Sequence, residues 1–100
     1  MLEDDPLYEK AVKLWGKDTQ LFMVFEEMSE LQKAICKWMR NPNYSTVAHI
    51  VEELADCELM FKQLLVMIQR KNIDVDRMHE FKMHRLKKKI IDFENKDCRF

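Results

Sequence analysis

The chain has 100 residues, 47% hydrophobic and 35% charged, with one Gly and two Pro. That length suits a single domain, 1–100, and so few turn formers exclude an all-β fold, which spends them roughly every 8 to 12 residues. Seventeen basic residues against eighteen acidic ones leave a net charge of -1, excluding a global field for counterion-release binding and making nucleic acid the least favoured partner.

Asp5 followed by Pro6 reads as an N-cap with proline at the first helical position, and Leu7, Ala11, Leu14 and Trp15 carry that helix to Gly16. From about Asp18, Leu21, Val24, Met28, Leu31, Ile35 and Trp38 recur at steps of three and four, stopping at Asn41-Pro42-Asn43. This predicts a second helix of roughly 23 residues. Ser45 or Thr46 is suited to cap a third helix with the stripe Val47, Ile50, Leu54, Phe61, Leu64, Leu65 and Ile68. Its last turn is expected to carry Arg70 and Lys71, with Asn72 as the stop signal. A fourth pattern, Met78, Phe81, Leu86, Ile90 and Phe93, begins near Asp74 or Asp76 and is expected to fray before the polar tail.

Four helices joined by short loops predict an all-α, antiparallel helical bundle of about four helices. Eight Met and 10% aromatic residues exceed what one thin core needs, so the bundle is expected to be completed by homo-oligomerisation. No apolar run is long enough to span a membrane, and no secretory leader pattern opens the chain. Cys36, Cys57 and Cys98 lack C-x-x-C spacing and suggest reduced thiols in a cytoplasmic protein.

The chemistry-bearing feature is a pair of acidic clusters, Glu26-Glu27-Met28-Ser29-Glu30 and Glu52-Glu53-Leu54-Ala55-Asp56. With Glu27 set to zero on a helical wheel, Val24, Met28, Leu31 and Ile35 fall between about 40° and 100°, Glu30 near about -60° and Glu26 near about -100°. Setting Glu53 to zero places Ile50, Leu54, Cys57 and Phe61 in the same arc and Asp56 and Glu52 at the same offsets as Glu30 and Glu26. Exposed acid pairs are usually solvated, but two copies of one layout on neighbouring long helices predict that Glu27, Glu30, Glu53 and Asp56 converge at one edge of a helix–helix seam. Glu26 and Glu52 stay towards solvent or behind the ligating carboxylates. Four crowded carboxylates repel unless a cation neutralises them, and an all-oxygen donor set suits Mg2+, or Mn2+. His79 and His84 are about 140° apart and His49 stands alone, so all three read as surface or packing histidines. With Gly16 the sole glycine, phosphate-binding glycine loops and dinucleotide fingerprints are excluded.

Glu27-x-x-Glu30 and Glu53-x-x-Asp56, separated by 22 residues, resemble the E-x-x-E…E-x-x-D signature of the MazG-like all-α nucleoside triphosphate pyrophosphohydrolase superfamily. The likeness includes Trp15-Gly16, Gln20, Glu26 to Leu31, Val51 to Asp56 and Lys82-x-x-Arg85-Leu86, and covers about residues 8 to 91. The resemblance implies that the four acids hold magnesium and that water cleaves a (deoxy)nucleoside triphosphate into a nucleoside monophosphate and pyrophosphate. By the same resemblance Lys82 and Arg85 bind phosphate and Gln20 contacts the base or sugar edge. Lys37, near about -80° on the acid face of the second helix, is a further substrate-binding candidate. Trp15, Phe22 and Met60 are candidate pocket walls or core residues. A phosphoribosyl-ATP pyrophosphohydrolase shares the acid motif, although the Trp15-Gly16 and Gln20 context favours the MazG-like branch. A non-catalytic helical dimerisation or regulatory module is the reading from another class.

Overall fold

The computed structural model describes residues 5–97, so Cys98 lies outside the described residues. The fold is all-α, with α1 (Pro6–Trp15), α2 (Lys17–Arg40), α3 (Tyr44–Met67) and α4 (Asn72–Asp97), and no strand among the described residues. The chain divides after Arg70 into two compact units, the first built from α1 to α3 and the second from α4.

α1 begins as its sequence dictates. Asp5 is its N-cap, accepting a hydrogen bond from the Leu7 N–H at 2.8 Å, and Pro6 follows where a missing N–H costs nothing. Gly16 ends it with φ 92°, a conformation that L side chains rarely adopt, while donating its N–H to the Val12 carbonyl at 2.8 Å. A single residue therefore separates α1 from α2, which starts at Lys17 rather than Asp18. Pro42 disfavours helical backbone at Asn41, and Asn41 accordingly leaves α2 at φ -146° and ψ 74°.

Asn43, rather than Ser45 or Thr46, caps α3. Its side chain accepts from the Thr46 N–H at 3.0 Å, and the Thr46 hydroxyl accepts from the Asn43 N–H at 3.1 Å, a reciprocal capping box. α3 also stops earlier than its expected basic last turn. Ile68 is the C-cap and Gln69 takes the left-handed conformation at φ 59°. Gln69 N–H donates to Val66 O and Arg70 N–H to Leu65 O, the two bonds of a Schellman motif. Arg70 and Lys71 thus fall between helices, and Asn72 opens α4 rather than stopping α3. The Asp74 carboxylate accepts the Lys71 N–H at 2.9 Å, and α4 runs on to Asp97 without the expected early fraying.

α2 and α3 pack as an antiparallel hairpin, with α1 against both. Gln20 meets Gln63, and seven residues further along α2 Glu27 meets Cys57, six residues back along α3. The buried seam follows the expected apolar stripe only in part: Val24 is buried and Leu21, Leu31, Ile50, Leu64 and Leu65 are half-buried. On α2 it consists of Gln20, Val24 and Ala34, and on α3 of Glu53, Cys57, Met60, Gln63 and Met67. Met28, Ile35 and Trp38 on α2, and Val47, Leu54 and Phe61 on α3 with its C-cap Ile68, are exposed. The seam is therefore rotated towards the wheel positions of Glu27 and Glu53, and part of each apolar arc, Met28 and Ile35 on α2 and Leu54 and Phe61 on α3, faces outward. Val24, Met60 and Met67 form the core cluster, with Val12 of α1, Leu21, Met23 and Leu64 packed against it. α1 buries no residue fully, and its Leu7, Leu14 and Trp15 are exposed.

In the second unit, the α4 side chains from Arg77 to Lys96 are exposed. They include Met78, Phe81, Leu86 and Ile90.

Candidate metal centre

The rotation of the seam carries acids into it. Carboxylate oxygens of Glu27, Glu53 and Asp56 all lie within 4.8 Å of one another, with Glu53 buried and the other two half-buried. Two helices supply the set: Glu27 comes from the middle of α2, and Glu53 and Asp56 from successive positions along one side of α3. Burial, followed by the charges of Asp56, Glu53, Glu26 and Glu30, raises the Glu27 carboxyl above its ordinary proton affinity.

Glu53 shows the strain most directly. Its residue exposure is 8%, and its Oε2 is buried without a hydrogen-bond partner. Its Oε1 lies 3.3 Å from His49 Nε2, one turn earlier on α3. A buried carboxylate oxygen without a donor is costly, and a cation is one group that relieves it. Beneath the acids, the buried Cys57 thiol donates to the Glu27 carbonyl at 3.3 Å. Its burial, with the charges of Glu27, Glu53 and Asp56, pushes its pKa up, so it remains a neutral donor rather than a thiolate.

Glu30 does not join this cluster. Its Oε1 lies 3.5 Å from Lys33 Nζ on the exposed side of α2, so the expected quartet is a triad, with Glu30 turned towards a neighbouring cation. Glu26 and Glu52 are exposed, as expected.

The substrate-binding candidates fall in different places. Gln20 is 4% exposed and donates from Nε2 to Gln63 Oε1 at 2.6 Å, so its amide is used inside the seam. Lys37 is exposed beside Lys33, Cys36 and Arg40, and ten residues of α2 put it about 15 Å along the axis from Glu27. Lys82 and Arg85 line a shallow depression of about 230 Å³ on α4 with Leu86 and Lys89. Of the candidate pocket walls, Met60 is core, while Trp15 and Phe22 are exposed. His49, read from sequence as unconnected, is the residue that sequence reasoning missed. Its signal was the four-residue spacing to Glu53, which brings side chains together on a helix.

No protein-family model, no curated protein and no solved structure matches this chain. Within the described residues, no helix is long and apolar enough to cross a membrane.

Proposed function

We propose that the chain is a MazG-like, magnesium-dependent pyrophosphohydrolase that converts a (deoxy)nucleoside triphosphate and water into a nucleoside monophosphate and pyrophosphate. The observation that carries this reading is the convergence of Glu27, Glu53 and Asp56 from two helices, with one buried Glu53 oxygen lacking any donor. The all-oxygen donor set fits a hard dication, Mg2+ or Mn2+, better than a thiophilic metal, and the one thiol nearby is already committed to a carbonyl. A bound dication supplies positive charge that neutralises phosphate oxygens and lowers the pKa of water.

Around that charge the protein's own groups take distinct roles. Glu53 and Asp56 are the anchoring carboxylates on α3. Glu27, which meets them from α2, would complete the donor set. Glu30 lies one turn beyond Glu27, and exchanging Lys33 for the cation would add a fourth carboxylate. Lys82 and Arg85, on α4, are phosphate-binding candidates by the resemblance alone, and loss of triphosphate affinity in Arg85→Ala would support that role.

The outward apolar arcs support a second element of the proposal, a homodimer or a dimer of dimers. Phe25, Met28 and Ile35 on α2 are 64%, 40% and 38% exposed, and Val51, Leu54 and Phe61 on α3 are 60%, 52% and 42% exposed. In an antiparallel pair these arcs lie on one side of the hairpin, opposite Glu30 and Asp56. An apolar face of this kind marks an interaction surface. It also favours the second reading, a helical dimerisation module in which the acids hold a cation only for structure.

A nucleotide panel incubated with Mg2+, scored for pyrophosphate and monophosphate, tests the enzyme. Pyrophosphate release that is lost in Glu53→Gln and Asp56→Asn supports it. Stabilisation by Mg2+ alone, with no turnover and no added effect of a nonhydrolysable triphosphate, favours the module.

A further inference from the structure

His49 lies one turn before Glu53 on α3, with Nε2 3.3 Å from Glu53 Oε1, while Oε2 of the same carboxylate is buried without a partner. The last torsion of a glutamate side chain is broad and weakly restrained. Beside Glu27 and Asp56, charge repulsion would turn an unanchored Glu53 carboxylate away from its neighbours. At 3.3 Å, an imidazole N–H at Nε2 would donate to Oε1 whether the ring is neutral in that tautomer or charged, so such an anchor does not depend on a titration. The His49 side chain is 38% exposed and that of Glu53 10%, so the donor reaches in from the rim to a carboxylate already inside the seam.

We propose that His49 is a positioning residue: it holds Oε1 of Glu53 so that Oε2 faces the oxygens of Glu27 and Asp56 as a preformed ligand for a divalent cation. This rests on the metal-site reading above and adds to it a residue outside the ligand set. Groups that orient metal ligands through hydrogen bonds typically change metal affinity by about 10- to 100-fold when removed.

The test is Mn2+ binding to the full chain without nucleotide, followed by electron paramagnetic resonance, for wild type, His49→Ala, His49→Phe, His49→Gln and Glu53→Gln, with circular dichroism melts of each. His49→Phe keeps a ring without the donor, and His49→Gln keeps a donor without the ring. The expected result is Mn2+ binding weakened about 10-fold in the Ala and Phe variants and largely restored in the Gln variant. In turnover, the Mg2+ concentration for half-maximal rate rises for Ala and Phe, while kcat at saturating Mg2+ stays within about twofold, because the ligand itself is intact. Wild-type Mn2+ affinity in folded His49→Ala or His49→Phe overturns the proposal, as does equal weakening in the Phe and Gln variants. Wild-type protein that binds Mn2+ no better than Glu53→Gln removes the metal-site reading, a result distinct from a failure at His49 alone.

Discussion

The α2–α3 seam buries polar groups at two levels, about 10 Å apart along α2, and treats them in opposite ways. At one level Gln20 and Gln63 are neutral, buried and bonded to each other at 2.6 Å, with the core cluster of Val24, Met60 and Met67 nearby. At the other, Glu27, Glu53 and Asp56 share a few ångströms, and one buried oxygen has no partner. The first level is closed: two amides answer each other and require nothing from outside. The second is open, because like charges cannot satisfy one another and each added carboxylate raises the cost of the next. A buried polar pair that closes on itself reads as architecture. A buried polar set that does not close reads as a place where something binds.

Neutralising the open level should have the largest effect on function. On the proposed function, Glu53→Gln and Asp56→Asn lower metal-dependent pyrophosphate release by at least about 100-fold, since a catalytic dication typically contributes several kcal/mol to such a reaction. The same variants should melt no lower than wild type without metal, and should lose most of the stabilisation by Mg2+. Activity and melting curves measured with and without Mg2+ check both halves of this expectation.

The closed level should answer in stability alone. Gln63→Leu strands the Gln20 amide and is expected to cost about 1–3 kcal/mol in urea denaturation, with much of the loss recovered when Gln20→Leu is added. Mn2+ affinity should stay at the wild-type value in both variants. A selective loss of nucleotide affinity with unchanged stability would instead give the amide pair a role in substrate binding.

Glu27 sharpens the contrast through pH. Its proton affinity is raised in the fold, so the folded state holds that proton more tightly than the unfolded chain does. The resulting contribution to stability is fully present below the ordinary carboxyl value of 4.5 and is lost as pH rises through the raised value. Metal-free Glu27→Gln should therefore melt higher than wild type at neutral pH, with the gap closing on acidification. Added Mg2+ should stabilise wild type more than the variant. Thermal melts between pH 4 and 8, with and without Mg2+, test the sign.

The smallest effect is expected at the end of α3 nearer the closed level. Gln69 holds a left-handed conformation at φ 59°, and Gln69→Gly should change stability by less than about 1 kcal/mol, because relief of the backbone strain is offset by the freer unfolded chain. Urea denaturation should show this shift while Mn2+ affinity stays constant.

The helices were legible because their boundaries are marked by residues with few alternatives: Pro6, Gly16 and Pro42. Caps were less so. Asn43, Ser45 and Thr46 all have suitable side chains, and only the backbone reveals that Asn43 caps while Thr46 completes the box. The phase of the seam was misread for a physical reason. Apolar side chains cover a wide arc of each long helix, and weighting by hydrophobicity centres the seam on Ile35, Leu54 and Phe61, whereas the contact is centred nearer Gln20, Glu27, Glu53 and Gln63. Of the acid motif, Asp56 joins the cluster and Glu30 does not; equal offsets fix the side of the helix but not the side-chain torsions, and Glu30 lies 3.5 Å from Lys33. His49 has no histidine at pairing distance along its helix; its neighbour four residues on is a carboxylate, Glu53.

Gly16 carries a consequence beyond ending α1. A Cβ there would meet nothing within 4 Å, so the restriction at φ 92° lies wholly in the backbone. With no other linker between α1 and α2, this one peptide unit sets the azimuth at which Val12 arrives over Met60 and Met67. Adding a single residue at the joint would swing the whole first helix by about 100°, making this junction far less tolerant of length change than the Asn41–Asn43 bend.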